Sequence, residues 1–236
     1  MLALGATMAA PASGEQPVSF AARGAAGTAL EGMLQPAAAG STRAAVVICH
    51  ADPRAGGSMD NELVRDLQRA LAHAGLVTLR FNFRGVGRSA GTFAGGTGEV
   101  DDCLGAIDFL RQQAGVAPAR VVVVGYSFGA VVGLHACVRD GNVPRCVCIG
   151  FPTRSQAELA PTAVLGQITF PTLFVAGTED IVCRLGVLDD AIRAAGVGKL
   201  CQLEAIEGGD HFFSGLTQRS IAVKRIIRFV SAAPTR

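Results

Sequence analysis

Apolar residues in this chain alternate between two arrangements. Short unbroken runs of strand length are A-A-V-V-I-C-H (44–50), L-V-T-L-R-F-N-F (76–83), V-V-V-V-G-Y (121–126), R-C-V-C-I-G (145–150), T-L-F-V-A-G (172–177) and K-L-C-Q-L-E-A-I (199–206). Runs that are apolar on both faces predict strands covered from both sides. Between them, apolar positions recur every three or four residues. Leu63, Leu67, Ala70, Leu71 and Ala74 predict a helix over 60–74 that Gly75 ends. Val100, Leu104, Ile107 and Leu110 predict an amphipathic helix over 99–113, and further helices are expected after residue 127, over 185–195 and over 221–230. Ahead of these, V-S-F-A-A-R and T-A-L-E-G-M-L-Q, split by Gly24 and Gly27, read as an antiparallel hairpin.

Strands alternating with helices predict an α/β fold: a mostly parallel central sheet with helices on both faces, preceded by the N-terminal antiparallel hairpin. Ligands are then expected at the loops beyond the carboxyl ends of the strands. Residues 17–236 read as a single domain, and Ala-, Gly- and Pro-rich residues 1–16 as a disordered tail. Only about twenty residues separate Gly150 from Thr172, which leaves room for a short helix and a loop but not for a lid domain.

The sharpest chemical signal is G-Y-S-F-G at 125–129, a G-x-S-x-G pattern between the valine strand and the segment A-V-V-G-L-H-A-C-V. Strand, tight turn with a central serine, then helix is the context of a nucleophile elbow, so Ser127 is the expected nucleophile. A serine hydroxyl needs a base, and the base needs a carboxylate to hold its tautomer. Four histidines are available. His73 falls within the first helix and His135 two turns into the helix after the elbow, both away from the strand ends. His50 ends a strand and stays a competitor. His211, in G-G-D-H-F-F after the last strand, fits the chain order serine, acid, histidine, and is the expected base. The acid is expected after a strand between them. V-A-G-T-E-D-I-V offers Asp180, with Glu179 as the alternative; Asp180 also suits a helix N-cap.

An oxyanion hole needs two backbone N–H groups. Phe128, after the nucleophile, is one expected donor. The other belongs to the loop H-A-D-P-R-A-G-G-S-M, from Ala51 or Asp52, since Pro53 has no N–H. Phe93, Phe128, Phe151, Phe212 and Phe213 are the apolar side chains available to a substrate, with Phe93, Phe151 and Phe213 the expected contacts. Gly85, Gly87 and Ala90 match a G-x-G-x-x-A pattern, but G-T-F-A-G-G-T-G follows and opens no helix for a pyrophosphate. A tight loop with Arg84 in an ion pair is expected instead.

Composition narrows the partners. A net charge of +2 without a basic stripe argues against nucleic acid. The start lacks Lys and Arg, unlike a secretory signal, and no apolar run is long enough to span a membrane. Seven scattered cysteines, mostly within apolar runs, read as buried thiols rather than a disulfide framework or zinc site, which points to a reducing, cytoplasmic compartment. No metal or cofactor is expected.

The segments H-A-D-P-R-A-G-G-S-M-D-N, L-R-F-N-F-R-G-V-G-R-S-A-G and G-Y-S-F-G resemble the small lidless α/β-superfamily hydrolases of bacteria, whose corresponding motifs read H-P-H-P-x-x-G-G-T-M-D-N, L-R-F-N-F-R-G-V-G-x-S-x-G and G-x-S-F-G. G-T-E-D-I-V and D-H-F-F are similar to that family's acid and histidine segments. The resemblance implies Ser127 as nucleophile, Asp180 as acid and His211 as base. Asp52 replaces the family's second histidine, and an inward carboxylate there would oppose an oxyanion. Dienelactone hydrolases are related but carry cysteine in the elbow. The function expected is hydrolysis of small or medium esters or thioesters by a serine hydrolase. A catalytically silent binding module of the same fold is the alternative, and acyl transfer would need water excluded from the site. Substrate identity and oligomeric state are not legible.

Overall fold

The computed structural model describes residues 14–24, 28–37, 44–113, 115–154 and 159–232. The proposed tail through residue 13 and Gly27 lie outside them. Eight strands form one sheet in the order β1-β2-β4-β3-β5-β6-β7-β8. β1 (Gln16–Ala21) and β2 (Ala29–Gln35) make the predicted antiparallel hairpin, and β2 runs antiparallel to β4 (Val77–Phe81). β3 (Ala45–Cys49), β5 (Val121–Tyr126), β6 (Cys146–Ile149), β7 (Thr172–Gly177) and β8 (Cys201–Ile206) continue from β4 in parallel.

Successive residues of the buried strands serve opposite layers, as period-two side chains must. In β5, Val121 and Val123 join the core beneath α2 (Thr97–Arg111), α3 (Phe128–Asp140) and α4 (Leu185–Ala194). Val122, Val124 and Tyr126 join the core beneath α1 (Glu62–His73) and α5 (Leu216–Ser231). This two-sided demand explains the four-valine run.

Three sequence expectations shift. His73 ends α1 rather than lying inside it. α2 is buried around most of its circumference, not on one stripe, because the hairpin closes over it; a Cβ on Gly105 would lie 2.2 Å from the Ala21 carbonyl oxygen. α5 begins five residues earlier than the apolar periodicity predicts, at Leu216. Between β6 and β7 the described residues form only a short 3-10 segment, Pro161–Gln167.

The seven cysteines are free thiols, six of them buried. Cys146 and Cys148 share one face of β6, their sulfurs 3.9 Å apart, and Cys49 meets Cys103 at 3.6 Å. Among the described residues, no helix is long and apolar enough to cross a membrane, and no group of three His, Cys, Asp or Glu side chains could hold a metal ion.

Candidate active site

Loops at the carboxyl ends of β3, β5, β7 and β8 converge on one point above the sheet. At β5, Ser127 has φ 54° and ψ −118°, a left-handed backbone that a residue with a Cβ adopts only under constraint. Two glycines make the turn sterically feasible. A Cβ on Gly125 would sit 2.2 Å from the Gly129 oxygen, and one on Gly129 would sit 2.3 Å from the His50 oxygen. The Ser127 N–H donates to the Ile149 carbonyl at 2.8 Å, which ties the elbow to β6.

His211 Nε2 lies 2.9 Å from Ser127 Oγ, and His211 Nδ1 lies 2.8 Å from Asp180 Oδ2. All three side chains are buried, so the relay runs with little competition from water. Asp180 Oδ1 accepts the Val182 and Cys183 N–H groups, both at 2.8 Å. The second oxygen therefore organises a turn; α4 starts only at Leu185, so Asp180 is not its N-cap. Glu179 is exposed. Asp210 is committed to the Ser214 N–H at 2.9 Å and to the Ser214 hydroxyl.

Sequence reasoning missed the residues that hold the base. Gly150, with φ 55°, faces the imidazole so closely that a Cβ would be 3.1 Å from His211 Cε1. The Tyr126 hydroxyl donates to the His211 carbonyl at 3.1 Å. Arg219 donates to the Phe213 carbonyl at 2.9 Å while paired with Glu62 and Asp66, anchoring the base loop to α1 and α5. The only sequence signals were a tyrosine inside a buried strand and an arginine on a helix face.

His50 is excluded as the base. Its ring is fully buried, with Nδ1 2.7 Å from the Ala51 carbonyl and Nε2 3.1 Å from the Phe83 N–H. Nε2 must accept, so Nδ1 carries the proton. Burial pushes its pKa from 6.5 down to about 4. Above pH 6.5 both folded and unfolded chains hold this imidazole neutral. Between pH 6.5 and 4 the unfolded chain binds a proton that the folded chain refuses, so stability falls as pH drops through that window, by about 3 kcal/mol from this group. Urea midpoints at about pH 7.5 and about pH 4.5 should fall further apart for wild type than for His50→Asn. His135, also pushed down by burial, contributes equally to both proteins. An identical pH response would remove this account.

Asp52 does not stand open toward Ser127. Its carboxylate accepts from the Arg54 N–H at 2.8 Å and from the Arg54 guanidinium at 3.1 and 2.7 Å, and Arg54 lies 4.7 Å over the Phe93 ring. Among the described residues, the N–H groups of Ala51, Asp52 and Phe128 donate no turn, loop or side-chain hydrogen bond.

The aromatic side chains separate. Phe93 is part-buried and packs on Phe128 at 5.7 Å. Phe151 is fully buried against Phe174, and Phe213 is fully buried in the opposite core layer beside α5. Neither offers surface to a substrate, which corrects the expectation for both; Phe212 turns outward instead, 70% exposed. The G-x-G-x-x-A loop is structural. Gly87 would place a Cβ 2.2 Å from a Glu31 carboxylate oxygen, a neighbour that repels phosphate, and Arg84 pairs with buried Asp102 at 2.7 Å as expected. The helix that follows does begin within the predicted glycine-rich stretch, at Thr97, too late to point at those glycines.

Residues 42–233 match the model of the alpha/beta hydrolase domain family. The chain belongs to that family. Ser127, His211 and Asp180 form the catalytic triad of a serine hydrolase. An uncharacterized protein of Rickettsia prowazekii is 29% identical over 80% of this chain and 79% of its own length. An alpha-beta serine hydrolase homologue from Coxiella burnetii superposes with TM-score 0.77 at 24% identity, covering 92% of this chain and all, 100%, of that one. A serine hydrolase without a lid from Xanthomonas campestris superposes with TM-score 0.75 at 24% identity, covering 95% and 99% of the two chains. This hydrolase shares with the latter the absence of a lid domain from its described residues.

Proposed function

We propose that this hydrolase cleaves small or medium carboxylic esters or thioesters through an acyl-enzyme on Ser127. The observation that carries the reading is the unbroken relay from Ser127 Oγ to His211 Nε2 at 2.9 Å and from His211 Nδ1 to Asp180 at 2.8 Å. His211 takes the hydroxyl proton as Ser127 attacks the carbonyl carbon. It returns that proton to the leaving alcohol or thiol, then deprotonates the water that releases the acid. Asp180 holds the Nδ1–H tautomer and stabilises the imidazolium.

The Phe128 N–H, with that of Ala51 or Asp52, receives the oxyanion in this scheme. Their lack of internal acceptors leaves them free for it, and each such donor is worth on the order of 10²–10³ in rate. Pairing of Asp52 with Arg54 takes away the main support for a silent binding module. Part-buried Phe93, beside Phe128, forms an apolar wall for the substrate. Seven free thiols fit a reducing, cytoplasmic setting. The test is a p-nitrophenyl ester chain-length series on wild type and Ser127→Ala, with fluorophosphonate labelling. Turnover and labelling are expected in wild type alone; an unlabelled wild type beside a labelled control esterase refutes the reading.

A further inference from the structure

The cleft beside the acid loop carries positive charge that its described surroundings leave unmatched. Thr153 and Arg154, after β6, and Ile181, Val182 and Arg184, after β7, line a cavity of about 340 Å³. The two loops are joined: the Thr153 N–H and hydroxyl both donate to the Val182 carbonyl at 3.1 Å. The cavity's lining adjoins the acid end of the relay, because Ile181 directly follows Asp180 and Val182 donates its N–H to the Asp180 carboxylate at 2.8 Å.

Among the described residues, no carboxylate lines this cavity. Of the seventeen arginines among the described residues, eleven meet an Asp or Glu. Arg154 and Arg184 meet none among those residues, although both face the same cleft. Both side chains are exposed, so their guanidinium groups are open to an anion from solution. Between them Ile181 is 86% exposed, an apolar side chain left uncovered at the edge of the site. The Asp180 carboxylate, next in the chain to Ile181, is committed to His211 and the turn N–H groups, and the exposed Glu179 is not among the residues lining the cavity.

We propose that this cleft recognises an anionic group, a carboxylate or a phosphate, on the ester or thioester that Ser127 attacks. The proposal rests on the serine-hydrolase reading above and adds its substrate class. Guanidinium groups bind both anions through paired, charge-assisted hydrogen bonds, and Ile181 covers the adjoining methylenes.

Two matched pairs separate the sources of charge. Monomethyl adipate and methyl hexanoate differ in a carboxylate on the acyl part. Butyryl-4′-phosphopantetheine and butyryl-pantetheine differ in a phosphate on the leaving group. Wild type is expected to favour the anionic member of at least one pair in kcat/KM by about tenfold or more. The Arg154→Ala/Arg184→Ala double variant should lose that preference while holding the neutral substrates within about twofold, and high salt should weaken the wild-type preference. Equal or better use of both neutral members by wild type overturns the proposal, as does a preference that survives in the double variant. No turnover of any of the four by a protein that fluorophosphonate labels at Ser127 overturns it too. Those results leave the hydrolase reading standing. Neutral esters cleaved equally by Ser127→Ala would instead bring down that reading.

Discussion

Replacing Ser127 with alanine is expected to lower kcat for an ester substrate by on the order of 10⁶, to the residual rate that binding and the oxyanion donors supply alone. His211→Ala should cost about as much, and the double variant no more than either single one. The reason lies in the relay. His211 Nε2, 2.9 Å from Ser127 Oγ, has no proton to take once the hydroxyl is gone, and the hydroxyl has no acceptor once the imidazole is gone. Members of one proton path fail as a unit. Losses that simply multiplied, or a Ser127→Ala protein that kept more than about 1% of wild-type kcat, would mean that another group performs the attack. The fold should hold in both variants, because the Ser127→Ala substitution keeps the Cβ and the elbow glycines that accommodate φ 54°. Matching thermal melts would verify that the lost rate is chemical.

The second large effect is expected from a glycine that touches no substrate. At Gly177, the end of β7, an added Cβ would sit 1.9 Å from the Gly209 oxygen and 2.2 Å from its carbonyl carbon. Both are backbone atoms and cannot swing aside. Gly177→Ala must therefore push apart the acid loop, which reaches Asp180 just after β7, and the base loop, which reaches His211 just after Gly209. These loops are otherwise bound by the Glu179 N–H donating to the Gly209 carbonyl at 2.9 Å. Overpacking of this kind costs about 1–3 kcal/mol or somewhat more. That corresponds to a Tm lowered by roughly 5–10 °C in a chain of this size. Separation of His211 from Asp180 by about an ångström should cost on the order of a further 10²-fold in kcat. Gly209→Ala provides the contrast. Its Cβ would approach Gly177 Cα and the Ile206 oxygen only to 3.1 Å, and it should lower both quantities far less. Equal behaviour of the two variants in melts and initial rates would refute this account.

The triad was legible because each member carries a local signature. Ser127 sits in G-x-S-x-G between a strand and a helix, and Asp180 and His211 lie on short loops after strands in the required order. The choice of His211 over His50 rested on chain order and on its glycine-rich loop after the last strand. What excludes His50 physically, an Ala51 carbonyl on one ring nitrogen and the Phe83 N–H on the other, is a contact between loops that no local pattern records. The aromatic residues show the limit most sharply. Phe212 and Phe213 are neighbours, yet one is 70% exposed and the other fully buried, since Phe213 at φ 49° turns its ring under the base loop. Nothing in F-F distinguishes them. Asp52 was another limit. A carboxylate beside an expected oxyanion site reads as a defect until Arg54 is seen closing on it.

The sequence by itself determined the layered α/β arrangement and the nucleophile, and it singled out His211 and Asp180 as the expected base and acid. Those properties depend on periodicity, turn chemistry and order along the chain, which are local or one-dimensional. Only the tertiary structure decided which polar groups were already occupied. It matched Asp52 to Arg54, left Arg154 and Arg184 facing one cleft with no carboxylate among its described lining, and placed Gly150, Tyr126 and Arg219 around the base loop. Those pairings join residues from separate strands and loops. Their geometry exists only once the sheet has set the spacing between them.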